Sequence, residues 1–226
     1  MLSALFDRNA GRYDAITQWF SLGSGRWHRS QALKRAGVSA GTAMLDVACG
    51  TGLVTLAAQN MVGQHGCVIG LDASYGMLSE AKARGCEKLL HGVAEHLPFP
   101  ESSFDIVTMG YALRHVVDLD IVFAEYFRTL KPGGQVVLME IARPESKMTY
   151  AIARLYMKTL VPTLAGIGSK NQSATKLMRY YWDTIEHCVP KPVITAALDR
   201  AGFVDVHVES WFSGLVKDYT AIKPSS

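Results

Sequence analysis

No run in this 226-residue sequence approaches the roughly 20 consecutive apolar residues that a bilayer-spanning helix needs. Charges at Asp7, Arg8, Arg12 and Asp14 interrupt the N-terminus where a signal sequence would carry its apolar centre. A cytoplasmic protein is expected, at most peripheral to a membrane surface. A charge excess is missing too: 23 Lys and Arg against 20 Asp and Glu leave a formal +3. That is far from the concentrated basic surface with which duplex binders displace counterions, so no nucleic acid partner is expected. The four cysteines, Cys49, Cys67, Cys86 and Cys188, include no close pair of the kind structural zinc uses, and so few thiols suit a reducing compartment. The seven histidines form no ligand ladder, and no metal is expected. Internal repeats and low-complexity segments are also absent.

What the sequence has is apolar material, 49% of its residues, enough for a sizeable core. Strand-like runs recur at "GTAMLDVA", "GCVIGLDAS", "CEKLLHGVA", "SSFDIVTMG" and "GGQVVLMEIA", with helical stretches such as "SYGMLSEAKARG" and "DLDIVFAEYFRTLK" between them. This alternation over residues 41–142 predicts a parallel sheet covered on both faces, an α/β fold of the doubly wound kind, with ligands at the carboxyl ends of its strands. Residues 1–40 read as helices ahead of the sheet and over the site. Residues 143–190 are too long for an ordinary connection and too apolar for a linker, and read as a helical lid. Over residues 191–226, the helix "PVITAALDRAG" and the strands "VDVHVES" and "GLVKDYTAIKP" are expected to close an antiparallel edge.

The stretch "LDVACGTGLV", residues 45–54, joins a buried strand to a helix through two glycines that bracket a threonine. It lacks the Gly-Lys-Ser or Gly-Lys-Thr ending of a triphosphate loop, because Gly52 is followed by Leu53 and Val54. A nicotinamide fingerprint wants a third glycine in register, which does not follow, although Asp72 at the end of the second strand stands where a ribose-binding carboxylate belongs. Asp46, four residues before Gly50, suits a ligand with a cationic amino group, met directly or through water. S-adenosylmethionine is such a ligand, and Asp72 would accept from its two ribose hydroxyls. The bland reading is a glycine turn that only lets strand and helix pack closely.

With these residues in hand, the chain resembles the class I S-adenosylmethionine-dependent methyltransferases. Within them it is similar to the quinone-biosynthesis C-methyltransferases that methylate demethylmenaquinol and the ubiquinone precursor ring. The resemblance runs through "FDRNAGRYDAI", "LDVACGTG", "AEHLPFPESSFD", "YALRHVVD", "RTLKPGGQVVLMEIARP", "DRAGFVDV" and "SGLVKDYTAIKP". It implies that Ala48, Gly50, Thr51 and Gly52 contact the methionine part, Asp72 with neighbouring Ala73 the ribose, Val93 and Ala94 the adenine, and Gly110 and Tyr111 the floor under the sulfur. Val93 stands where the family usually has Asn or Asp, Ala112 and His115 where it has Gly and Asn, and "AITQWFSLGSGRWHR" is one residue shorter than usual. These last departures fall where the acceptor would sit.

Methyl transfer to an aromatic carbon gains from ionising a neighbouring hydroxyl, so a base is expected within reach. Arg114 matches the family position proposed to act on that hydroxyl through a water; it would otherwise form an ion pair with Asp118 or another local carboxylate. His115, with an ordinary pKa near 6.5, reads as a base or as a partly buried helix-start residue. Tyr13 orients a substrate oxygen or merely packs. In the lid, Ile152, Leu155, Tyr156 and Leu160 fall near one helical face and Arg154 and Lys158 on another. An isoprenoid tail would suit the first, and lipid headgroups the second in a transient membrane-surface contact; an ordinary packed helix accounts for both. Met148, Met157 and Met178 suit gap filling. A homodimer is compatible with all of this. Three functions remain open: methylation of a small-molecule aromatic or isoprenoid quinol, methylation of another small aromatic metabolite, and a non-catalytic S-adenosylmethionine-binding partner or sensor.

Overall fold

The computed structural model describes residues 24–156 and 182–225. Helix α1 (Ser24–Arg35) precedes the sheet, and β1 (Ala43–Val47), α2 (Leu53–Val62), β2 (Cys67–Asp72), α3 (Tyr75–Ala83) and β3 (Leu89–His91) follow. Next come β4 (Phe104–Gly110), α4 (Leu119–Thr129), β5 (Leu130–Ile141), α5 (Lys147–Leu155), α6 (Lys191–Arg200), β6 (Val204–Trp211) and β7 (Val216–Ile222). The seven strands form one sheet in the order β3-β2-β1-β4-β5-β7-β6. The first five are parallel, and β7 enters antiparallel between β5 and β6. This is the doubly wound sheet with an antiparallel edge that the sequence predicts.

The apolar runs are strands because both faces of the sheet are covered, so alternate residues serve different cores. Leu45, Val107 and Leu138 pack with Phe123 and Tyr126 of α4 and Leu198 of α6. Their neighbours Met44, Ile106 and Val137 pack with Leu33 of α1 and Ala58 of α2 on the other face. Each fully buried side chain of this size contributes about 1.5–3 kcal/mol. Local chemistry sets the helix ends. The Ser74 hydroxyl accepts from the Met77 N–H at the start of α3, and Asp118 Oδ1 accepts from the N–H groups of Asp120 and Ile121 at the start of α4.

Three expectations change. The third strand run shortens to Leu89–His91. In β5, Leu130 pairs with Phe104 and Gln135 with Ile106, so the Lys-Pro-Gly-Gly turn is looped out of a strand that begins before it. Met148 is 73% exposed, so it fills no gap. Leu160, Lys158, Met157 and Met178 lie outside the described residues. Among the described residues no helix is long and apolar enough to cross a membrane.

Candidate functional site

The strand order reverses between β1 and β4, and a cavity of about 730 Å³ opens at the carboxyl ends of β1, β2 and β4, where doubly wound sheets bind ligands. Its size lies in the upper part of the roughly 300–1,000 Å³ range of small-molecule sites. Ala48, Gly50, Thr51, Asp72, Ala73, Val93, Ala94, Gly110 and Tyr111 line it together, as do Arg114 and His115. Tyr13 lies outside the described residues.

The two glycines of the loop do different work. Gly50, at φ +57, has open space where a Cβ would project, and its N–H donates to Asp72 Oδ2 at 2.7 Å. Gly52, at φ +81, faces away from the cavity: a Cβ there would lie 2.4 Å from Cys86 Sγ and 3.0 Å from Ala81 Cβ. The first glycine therefore leaves room for a ligand and the second lets the loop pack on α3. The Cys49 N–H donates to the Leu71 carbonyl at 3.0 Å, which ties the loop to β2.

Asp72 also accepts from the Ser74 N–H at 2.8 Å. Each of its oxygens thus keeps acceptor capacity for a diol, and burial raises its carboxyl above the ordinary range. Asp46 is fully buried beneath the loop and does not itself line the cavity; Thr55 Oγ1 donates to it at 2.6 Å and Thr108 Oγ1 at 3.0 Å. It braces β1 against α2 and β4.

Burial pushes the Asp46 carboxyl up to about 6, against the lowering effect of the two threonines. The folded state then holds this proton more tightly than the unfolded state, so stability falls as pH rises from the ordinary 3.8 to about 6. At about 1.4 kcal/mol per pKa unit the cost is about 3 kcal/mol. Asp46→Asn carries no such charge. Its melting temperature is expected to gain on the wild type as pH rises through that window, and parallel curves for the two proteins would refute the assignment.

At the end of β4, Tyr111 adopts φ +60, and its hydroxyl lies 2.7 Å from Nδ1 of the buried His28 on α1. Arg114 does not pair with Asp118, which is occupied as the α4 cap. Its Nη1 donates to Glu140 Oε1 at 2.7 Å and to the Tyr111 carbonyl, and its N–H donates to Glu140 Oε2 at 3.0 Å. Both side chains of this pair are nearly inaccessible, at 2% and 4%. His115 lines the cavity at the end of the short turn Leu113–His115, and burial, with the Arg114 charge beside it, pushes its pKa down to about 4. A lowered pKa makes His115 a weaker base than an ordinary imidazole. Ile152 of α5 and Tyr156 just after it line the cavity, Ile152 from its exposed rim, and Leu155 does not.

The model of the ubiE/COQ5 methyltransferase family matches residues 2–223 of this chain. The chain belongs to that family. As an S-adenosylmethionine-dependent methyltransferase of this family, it is 33% identical over 225 residues to the demethylmenaquinone methyltransferase of Staphylococcus aureus strain JH9, with 97% of this chain and 91% of the relative covered. The fold is also that of a SAM-dependent methyltransferase from Thermotoga maritima, at TM-score 0.69 and 18% identity, over 99% of this chain and 100% of the other. Phosphoethanolamine N-methyltransferase 2 of Haemonchus contortus, solved with phosphomonomethylethanolamine and S-adenosylhomocysteine, matches at TM-score 0.68 and 20% identity, over 97% of this chain and 59% of the other.

The residues of the methyltransferase cavity fit its cofactor: an open backbone at Gly50, a carboxylate with spare acceptor capacity at Asp72, and apolar walls at Val93 and Ala94. Glu95, two residues after Val93, brings a carboxylate to the same end. Sequence reasoning missed His28, Arg29, Phe212 and Leu215, which line the cavity from elements at either end of the described chain. The histidine in "GRWHR" was the available signal, and its partners lie far away in sequence.

Proposed function

We propose that this methyltransferase acts on a ring carbon of a quinol of the demethylmenaquinol or ubiquinone-precursor type. The observation that carries the reading is the character of the cavity beyond the cofactor residues. Ile152 and Ala153 of α5 and Tyr156 just after it line the cavity with Phe212 and Leu215 of the β6–β7 connection, an apolar and aromatic lining suited to a flat ring with a hydrocarbon tail. The 33% identical relative, a demethylmenaquinone methyltransferase, supports the same class.

Bound in this cavity, S-adenosylmethionine supplies an electrophilic methyl group on a sulfonium. Asp72, with Ala73, holds the ribose hydroxyls; Gly50 and Thr51 receive the methionine part, with Ala48 beside them and Gly52 setting the loop's path. Val93 and Ala94 flank the adenine, and Gly110 and Tyr111 form the floor below the sulfur. Arg114, held rigidly by Glu140, shapes the wall beside the acceptor. Residues 143–156 act as part of a lid whose α5 face excludes water from the transfer. Exposed Met148, Ile152 and Leu155 on that helix suit the entry of an isoprenoid tail.

The test is calorimetric titration with S-adenosylhomocysteine, followed by mass spectrometry of demethylated quinols incubated with S-adenosylmethionine. Binding together with a mass gain of one CH2 is the expected result. Binding without any gain on the quinol panel would overturn the acceptor and favour another small aromatic metabolite.

A further inference from the structure

A buried polar chain crosses from the acceptor side of the cavity to the sheet. Tyr111 Oη lies 2.7 Å from His28 Nδ1, and on the other side of the imidazole His28 Nε2 lies 3.1 Å from Asp218 Oδ2 of β7. The second contact is an ion-pair approach, off the line of a good hydrogen bond. Asp218 is itself anchored by Arg35 Nη2 at 2.8 Å, and Arg35 reaches Glu209 at 3.0 Å and covers the Trp211 ring at 4.5 Å. Both His28 and Tyr111 line the cavity, and the Arg29 guanidinium sits 5.0 Å from the Tyr111 ring centre.

Packing does not require these groups. An apolar side chain at 28 would cover the same neighbours, Trp211 and Phe212, without burying an imidazole and a carboxylate, which is costly unless the groups are paired. A proton on Nε2, the side that faces the carboxylate, leaves Nδ1 to accept from the Tyr111 O–H, and the relay requires that tautomer. The lone pairs of Tyr111 Oη are then left to receive a further proton.

We infer that Tyr111 and His28, backed by Asp218, form the proton relay for the hydroxyl of an aromatic acceptor. This rests on the methyltransferase reading of the same cavity. Burial pushes the Tyr111 hydroxyl up to about 12, so it keeps its proton at neutral pH and acts as a conduit. In the forward step the acceptor O–H breaks and its proton goes to Tyr111 Oη, while the tyrosine's own proton passes to His28 Nδ1. The resulting imidazolium lies against the Asp218 carboxylate. The electron pair left on the acceptor oxygen enriches the ring carbon, which takes the methyl while the S–C bonding pair stays on sulfur. The ring C–H proton then leaves to solvent, and the imidazolium returns its proton along the relay to the oxygen. Tyr111 is the catalytic residue in this scheme, and His28 and Asp218 act through it.

Two independent measurements test this. In the first, 15N histidine NMR of the ligand-free protein, with His28 assigned by its loss in His28→Gln, is expected to show a neutral ring protonated at Nε2. A Nδ1–H tautomer or an imidazolium would overturn the relay, because neither can take the proton. In the second, Tyr111→Phe and His28→Gln are compared with the wild type for S-adenosylhomocysteine affinity and for kcat across pH. Affinity is expected to change by less than about threefold, while kcat falls about a hundredfold or more at neutral pH and recovers toward alkaline pH as the acceptor ionises without help. A kcat within about threefold of wild type in Tyr111→Phe, or an equal loss at every pH, would also overturn it. A wild type that methylates no quinol fails the functional reading instead, and the NMR result stands apart from that outcome.

Discussion

Replacing Arg114 with alanine is expected to destabilise the protein by about 3–5 kcal/mol, because the variant leaves the Glu140 carboxylate buried without its cation. Glu140 sits among strand residues at 4% exposure, and its remaining donors are backbone N–H groups, those of residue 114 and Ile141. Loss of activity in the single variant would therefore say little about chemistry. The informative comparison adds Arg114→Met with Glu140→Gln, which removes both charges at similar volume. Denaturant titration of that double variant is expected to recover most of the stability. If turnover also returns, Arg114 serves the fold; if turnover stays low in a folded protein, Arg114 acts on the acceptor as the resemblance implies. A stable Arg114→Ala protein would show that the pair carries little energy in solution.

The second large effect is expected at Asp72. Its carboxylate holds the loop through Gly50 and starts α3 through Ser74, and it is the group with capacity left for a ribose diol. Charge-assisted hydrogen bonds contribute about 1.5–3 kcal/mol each, so Asp72→Ala should weaken S-adenosylhomocysteine binding about a hundredfold or more in calorimetry. Asp72→Asn keeps one acceptor oxygen and should fall between the two. Affinity within about threefold of wild type in the alanine variant would remove Asp72 from the ribose contact.

The sheet was legible because parallel strands covered on both faces are written as short apolar runs, and the glycine loop because its geometry is local. Long-range partners were not legible. Asp118 looked like the partner of Arg114 from proximity in sequence, yet its side chain is taken by the α4 cap, and the true partner is the 26-residue-distant Glu140. Asp46 looked like a ligand group because it ends a strand beside the loop, but two threonines, one from α2 and one from β4, enclose it. His115 has an ordinary intrinsic basicity that only burial and a neighbouring cation remove. In each case spacing located the residue, and packing decided what it could do.

The insertion of β7 between β5 and β6 also bears on how the molecule forms. Arg35 and Asp218 meet across 183 positions of sequence, and β7 cannot seat until β5 is in place. Closing so long a loop costs entropy before any contact compensates it, and pairings of this kind slow folding. The parallel strands, each linked to a neighbour by a short crossover, can condense first. The Asp218 carboxylate meets His28 and Arg35 only once β7 has arrived, so the polar chain behind the cavity should be completed late in refolding.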